Sequence, residues 1–171
     1  EFVDSKSDKL ILDLRGNAGG YLGAAVDMAS WFLPEGKVIV TEDFGEKNKE
    51  QNNIHRSKGY NIFNKNLKFV ILVDNGSASA SEILAGALSE HGVAKLVGTN
   101  TFGKGSVQEL IDIGKDRASL KVTVARWLTP NGKSISNGGL TPDYKMENTA
   151  KDKENKIDRQ MNKADEILLK M

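Results

Sequence analysis

The chain contains no cysteine, two histidines and three prolines among its 171 residues. Without cysteine there are no disulfides and no thiolate chemistry, and with so little histidine a zinc site is disfavoured. Lysine plus arginine (24) nearly balances aspartate plus glutamate (23), so the charge gives no reason to expect a nucleic-acid partner. No apolar run approaches the ~20 residues that a membrane-spanning helix needs. The length and composition suit one ordinary globular domain.

The start of the chain lacks a methionine and any recognisable signal peptide. It opens with Glu1-Phe2-Val3, which resembles the end of an amphipathic segment. We therefore expect an upstream region, with any targeting signal, to precede it in a longer protein. Polarity is concentrated in Glu42–Lys58 and Lys145–Lys163. We expect residues 1–146 to form the main domain, and 147–171 to form a polar linker and a C-terminal helix.

Apolar patterning along the first hundred residues predicts an α/β fold. Runs at Lys9–Leu14, Lys68–Val73 and Val93–Val97 indicate buried strands, and helical spacing indicates helices over Leu22–Leu33 and Ser79–His91. Strands that alternate with helices favour a mainly parallel sheet with helices outside it.

The remaining segments predict shorter elements. Val38–Val40 indicates a strand, and a polar excursion follows it to about Asn66. Val107–Ile113 and Ala118–Leu128, joined by a Gly-Lys-Asp-Arg turn, predict a C-terminal β-hairpin region. Asp158–Leu169 carries apolar residues on one helical face, which predicts the C-terminal helix.

Ser79 is the main candidate for chemistry. It lies in a small-residue turn between a predicted strand and helix, where a hydroxyl can be held at the end of a sheet. Ser79-Ala80-Ser81-Glu82 also matches a capping box, so Ser79 could serve only to begin the helix. The roles are compatible, because a helix N-terminus offers free N–H groups where an oxyanion would develop. Ser77 and Ser81 remain alternative functional serines.

Lys104 and Gln108 follow in a second loop, Thr101–Gln108. A serine nucleophile with a lysine base is a known variant of the Ser-His-Asp arrangement. A lysine base must be uncharged, and burial favours that form of an amine. Phe102 is expected to supply apolar cover, and Gln108 to aim the amine at Ser79. The plain interpretation of Lys104 is an exposed loop charge, and that of Gln108 is a polar residue on a strand face.

Two other chemistries are less favoured. His91 falls in the last turn of a predicted helix and His55 in the polar excursion, so a Ser-His-Asp triad is the weaker hypothesis. Gly98–Lys104 fits the first seven positions of a phosphate-binding P-loop, which makes nucleotide binding a third hypothesis. The pattern then fails, because Gly105 stands where Ser or Thr is required and a predicted strand follows instead of a helix.

The motifs together resemble the carboxy-terminal processing peptidases, also called tail-specific proteases. The resemblance runs from about Asp8 to the end of the chain. It rests on Leu12–Arg15 with Asn17 and Gly19-Gly20, on Ser77–Ile83, on Gly98–Gln108, on Thr129–Ile135, on Gly139–Asp143, and on Asp158, Gln160 and Ala164 in the tail. Gly16 and Ala18 stand where that family more usually has Asn and Pro.

This resemblance implies a serine-type endopeptidase that cleaves proteins near their C-terminus by acyl transfer. It implies that Ser79 is the nucleophile, Lys104 the general base and Gln108 the residue that orients the lysine. It also implies an oxyanion hole from the backbone N–H groups of Gly20 and Ala80, and structural roles for Asp13 and Arg15. No cofactor or metal is implied.

The resemblance also implies a fold, a substrate class, partners and a location for such a core. The expected fold is crotonase/ClpP-like, and the expected substrates are unfolded or C-terminally apolar proteins, with an adaptor or regulatory protein as a further partner. The expected location is extracytoplasmic or periplasmic, with membrane association through a missing N-terminal region. Family members normally carry an upstream PDZ-type domain that receives the substrate, so residues 1–146 are expected to be a catalytic core without it. The alternative is a catalytically silent peptide-binding or scaffolding module of the same fold.

Overall fold

The computed structural model describes residues 5, 7–63, 66–114, 118–136 and 138–171, with only the backbone of Lys153. The predicted amphipathic start and the hairpin turn at 115–117 lie outside the described residues. In chain order the elements are β1 (Lys9–Asp13), α1 (Leu22–Ser30), β2 (Val38–Asp43), a 3₁₀ helix (Glu46–Gln51), β3 (Asn53–Arg56), β4 (Lys68–Val73), α2 (Ala80–Glu90), β5 (Lys95–Gly98), β6 (Ser106–Ile113), β7 (Ala118–Leu128), β8 (Tyr144–Lys145), α3 (Ala150–Glu154) and α4 (Arg159–Lys170).

A parallel sheet in the order β1–β4–β5–β8 forms the centre of the fold. The inner strand β4 is buried after Lys68, because helices cover both faces of the sheet. Phe69, Ile71 and Val73 pack in the cluster that α1 and α2 complete. Val70 and Leu72 point to the opposite face and pack against the apolar stripe of α4. This two-sided burial explains why the strand is an unbroken apolar run rather than an alternating one.

An antiparallel sheet in the order β3–β2–β7–β6 lies beside the parallel one. The predicted hairpin is confirmed: β6 pairs with β7 from Ser106 opposite Arg126 to Ile113 opposite Ala118. Most of β6 is exposed, and it forms an edge of this sheet. The chain reaches β6 directly from the loop that carries Lys104, so the edge strand and that loop are continuous.

The mixed α/β fold class with a mainly parallel sheet, flanking helices and a hairpin region is confirmed. Some boundaries were wrong: α1 ends at Ser30 rather than Leu33, and β5 begins at Lys95 rather than Val93. The 3₁₀ helix, β3, β8 and α3 were not predicted. The division of the chain at residue 146 stays a prediction. Of the helices in the described ranges, none has the length and apolar character to cross a bilayer.

Candidate active site

The glycine loop after β1 and the serine turn after β4 meet at one edge of the parallel sheet. Parallel strands end at the same edge, and Asp13 pairs with Leu72 in register. The Ala78 N–H donates to the Asn17 carbonyl at 3.0 Å. The Ser77 hydroxyl is buried and donates to the Leu14 carbonyl at 2.7 Å. Ser77 therefore has a structural task, which leaves Ser79 as the stronger candidate nucleophile.

Ser79 itself adopts a strained backbone conformation, with φ 56° and ψ −118°. A non-glycine residue with positive φ is uncommon, and such strain concentrates at functional sites. Ser79 is half-buried and is the N-cap residue of α2. Its backbone N–H donates to Glu82 Oε2 at 2.9 Å, as the predicted capping box requires. A sharp strand-to-helix turn of this kind can present a serine hydroxyl above a sheet.

Gly19 is pressed directly against the serine turn. Its φ is +94°, and a Cβ at this position would lie 2.5 Å from the Ala78 carbonyl oxygen and 2.8 Å from the Ala80 nitrogen. Only glycine fits there. Gly20, the next residue, borders the same cavity as Ala80, and within the described part of the chain the backbone amide of neither residue donates to a protein acceptor. An anionic oxygen between them would gain two hydrogen bonds and the favourable end of the α2 dipole.

Glu82 ties the serine turn to the lysine loop. Its side chain is fully buried, and its two carboxylate oxygens accept four hydrogen bonds. Besides the Ser79 amide, the donors are the Thr101 hydroxyl at 2.5 Å, the Gly103 amide at 2.8 Å and the Lys104 amide at 2.9 Å. Sequence reasoning gave Glu82 only its capping role. The second role was hidden because its partners lie about 20 residues further along the chain.

Lys104 reaches the same neighbourhood, and both Lys104 and Gln108 lie exposed. A cavity of about 500 Å³ is bordered by Lys104, Phe102, Ala78 and the glycine loop, so the lysine shares space with the serine turn. Gln108 is exposed on edge strand β6. The side chains of Ser79, Lys104 and Gln108 make no hydrogen bonds with one another in the described structure. The prediction that Phe102 covers Lys104 was wrong, because Phe102 is 60% exposed and leaves the lysine open to solvent.

The histidines lie where the sequence predicted, away from the serine. His91 is the C-cap residue of α2, so the whole 11-residue helix separates it from Ser79. Its Nε2 donates to the Val38 carbonyl at 2.7 Å. The imidazole Nε2 of His55 lies 3.6 Å from a carboxylate oxygen of Glu42, on the antiparallel sheet. Among the described residues, no three acidic or histidine side chains cluster to hold a metal ion.

Arg15 connects the glycine loop to the C-terminal helix. Its guanidinium donates to both carboxylate oxygens of Asp13, at 2.9 and 2.6 Å. The Nη1 group also donates to Asp158 and to Gln160 Oε1, each at 3.0 Å. The predicted structural role of Asp13 and Arg15 thus extends to Asp158, the N-cap residue of α4. Sequence reasoning missed this connection because it joins residues more than 140 positions apart.

The same contacts shift the pKa values of both aspartates. The hydrogen bond from Arg15 is the main cause that holds the pKa of Asp13 below its ordinary value. Burial raises the pKa of Asp158, but hydrogen bonds from the Met161 amide and from Arg15 contribute to a lower net value. A carboxylate with a depressed folded-state pKa stabilises the fold above its unfolded-state pKa. It loses that contribution as the pH falls through the folded value.

We expect Arg15→Gln to lower the free energy of unfolding at pH 7 by about 1 kcal/mol, since the ion pairs are partly exposed to solvent. We also expect it to flatten the fall in stability below about pH 4, where both aspartates gain protons. Urea unfolding between pH 2 and 7 measures both effects. Arg56→Gln is the control, because Arg56 donates to the backbone carbonyl of Gly36. An equal loss of acid dependence in both variants would contradict the prediction.

Comparison with known proteins relates the whole arrangement to one family. The sequence profile of peptidase family S41 matches residues 1–146. The chain is similar to a probable CtpA-like serine protease of Staphylococcus aureus, with 43% identity over 139 residues, covering 81% of the chain and 27% of that protein. It is also similar to a carboxy-terminal-processing protease of Bartonella bacilliformis, with 41% identity over 145 residues, covering 82% and 32%.

A solved structure gives the same relationship in three dimensions. The photosystem II D1 C-terminal processing protease superposes with a TM-score of 0.75 and 34% identity, covering 85% of this chain and 36% of that one. The chain thus spans about a third or less of the curated relatives it matches.

Proposed function

Because the chain belongs to peptidase family S41, we propose that it is the catalytic part of a serine endopeptidase that cleaves proteins near their C-terminus. We assign Ser79 as nucleophile, Lys104 as general base and Gln108 as the group that orients the lysine. The observation that carries the proposal is the contact of Gly19 with the strained Ser79 turn, where the Gly20 and Ala80 amides donate to no protein acceptor among the described residues. A helix cap alone does not require a glycine loop pressed against the turn.

In the proposed reaction, Ser79 Oγ attacks the peptide carbonyl and its proton passes to the Lys104 amine. The carbonyl oxygen becomes an oxyanion and accepts from the Gly20 and Ala80 amides. The C–N bond then breaks, and the lysine gives the proton to the leaving amine. Water attacks the resulting ester with the lysine again as base, which releases the acid and restores Ser79. Lys104 passes the Ser79 proton to the leaving amine and returns a proton from water to Ser79, so the protons balance.

The lysine loop is held through its backbone while its side chain stays free. Glu82 fixes the Gly103 and Lys104 amides, whereas the long Lys104 side chain is exposed and can swing over Ser79. An uncharged amine requires dry surroundings. We propose that the substrate, or a further part of the longer protein, provides the cover that Phe102 does not.

The substrates and partners are proposed from the relatives. Two of them are named for carboxy-terminal processing, which supports protein substrates with accessible C-termini. We propose unstructured, apolar C-terminal segments as the substrate class, and an adaptor or regulatory protein as a further partner. An extracytoplasmic or periplasmic location, with membrane attachment through an upstream region, is proposed on the family resemblance.

Covalent labelling tests the proposal most directly. A fluorophosphonate probe should modify the folded chain at Ser79, located by peptide mass spectrometry, and should not modify Ser79→Ala. Ser77 and Ser81 are internal controls, since both are buried. Labelling at another serine, or equal labelling of unfolded and folded chain, would overturn the assignment. No labelling, combined with retained peptide binding by Ser79→Ala, would favour the silent binding module.

A further inference from the structure

Asp74 directly follows β4, and its carboxylate joins the two loops of the candidate site. One carboxylate oxygen, Oδ1, accepts from the Gly16 amide of the glycine loop at 2.8 Å and from the Gly76 amide of the serine turn, also at 2.8 Å. The bond from Gly16 spans 58 positions of the sequence, so it is not part of a local turn. A single atom therefore connects the loop that carries Gly20 with the turn that carries Ala80.

Close backbone packing accompanies these hydrogen bonds. A Cβ at Gly76 would lie 2.6 Å from the Gly16 Cα and 3.1 Å from the Gly16 nitrogen, so the two backbones are already in contact there. Gly19 makes a second contact of this kind against the Ala78 carbonyl and the Ala80 nitrogen. The glycine loop thus touches the serine turn at two points, and Asp74 supplies the hydrogen bonds at the first of them.

We propose that Asp74 is a positioning residue for the oxyanion site, which holds the glycine loop against the serine turn so that the Gly20 and Ala80 amides serve one oxygen. This inference rests on the proposed function, in which those amides stabilise the oxyanion. Asp74 acts only through the two loops, since it borders neither the cavity beside Lys104 nor the cavity beside Gly20 and Ala80. A displacement of about 1 Å in a catalytic geometry can lower the rate about 100-fold.

The role requires an accepting oxygen at this position rather than a negative charge. Both donors to Oδ1 are backbone amides, which are neutral. Asparagine carries an accepting oxygen that can take the place of Oδ1, whereas alanine carries none. Replacement of Asp74 by each of these residues therefore separates the effect of position from the effect of charge.

The second-order rate of Ser79 labelling by the fluorophosphonate probe tests the inference, because the phosphonyl oxygen of the probe takes the place of the oxyanion. We expect Asp74→Ala to slow labelling at least about tenfold, and Asp74→Asn to stay within about threefold of the parent rate. In peptide cleavage the loss in Asp74→Ala should fall on kcat, with KM unchanged.

Asp152→Ala is the matched control. One carboxylate oxygen of Asp152 likewise accepts two hydrogen bonds, from the amide and the hydroxyl of Thr149, and it bonds neither loop of the site. This variant should label at the parent rate. Urea midpoints of all the variants give the folded fraction, so that rates are compared per folded molecule.

Gly76→Ala is a second variant, which keeps Asp74 and forces the two loops apart because its Cβ would meet Gly16. We expect it to slow labelling at least about tenfold as well. The parent rate in folded Asp74→Ala or in folded Gly76→Ala, or equal losses in Asp74→Ala and Asp74→Asn, would overturn the positioning role and leave the proposed function standing. Absence of Ser79 labelling in the parent protein would overturn both.

Discussion

Replacement of Ser79 or Lys104 by alanine is expected to lower kcat/KM for peptide hydrolysis about 10³-fold or more. Ser79→Ala removes the proposed attacking oxygen, and Lys104→Ala removes the proposed base that takes its proton. If the two groups act as one unit, as proposed, the double variant should be hardly worse than either single variant. Cleavage of an unstructured protein with an apolar C-terminus, analysed by mass spectrometry, measures the effect.

The loss should fall on kcat rather than KM, because neither side chain is proposed to bind parts of the substrate remote from the reacting bond. Lys37→Ala is the matched control for Lys104, since Lys37 is likewise exposed but lies before β2. It should retain the parent activity. If Lys104→Ala kept its turnover, the exposed lysine would be a plain loop charge. If Ser79→Ala bound and processed peptides as the parent does, another nucleophile would have to be sought.

Glu82→Gln is expected to lower the free energy of unfolding by about 3 kcal/mol and to reduce kcat at least about 100-fold. The glutamine amide offers one accepting oxygen where the carboxylate offers two. Its NH₂ would therefore face either the Ser79 and Lys104 amides, which donate to Oε2, or the donors on Oε1. A buried donor without an acceptor costs about 1–3 kcal/mol. Urea unfolding and peptide cleavage, measured on the same preparation, separate the two losses.

Glu90→Gln provides the control at the other end of α2. Glu90 accepts from the Thr129 hydroxyl at 2.9 Å and the Asn131 amide at 2.8 Å, and so holds a loop that does not carry Lys104. This variant should lose stability but keep its kcat. If both variants lost stability and activity in the same proportion, Glu82 would be a general support of the fold. Unchanged kcat in folded Glu82→Gln would remove its positioning role.

The elements that sequence reasoning predicted well are those whose burial is uniform. Strand β4 is covered on both faces, so Phe69–Val73 is wholly apolar and its bounds were exact. Helix α2 was bounded by its capping box and by Gly92. Strand β3 was missed because Asn53, Ile54 and Arg56 are exposed, and the strand is held by backbone pairing with β2. Such an edge strand leaves little periodic signal.

The candidate site also divides into parts that were predicted from the sequence and parts that were missed. The serine turn and the lysine loop carry compact local motifs, so they were found from short stretches of sequence. What holds them together was not found, because it consists of single polar contacts between distant segments. Glu82 reaches the lysine loop, and Arg15 reaches Asp158, through side chains whose local patterns indicate only a cap or a surface charge. Three-dimensional contact is required to reveal such roles.

The pairing of β1 with β4 has a consequence for how the chain matures. Lys9 pairs with Lys68 across a long stretch of sequence, and contacts of this kind form late and slowly in folding. That pairing sets the register in which the glycine loop meets the serine turn. On the proposed function, a chain in which β1 has not yet joined β4 carries the serine turn without the Gly20 amide that completes the oxyanion site. In the proposed enzyme, the complete site therefore exists only in a chain whose β1 has joined the sheet, so folding would set the earliest moment at which that chain can cleave.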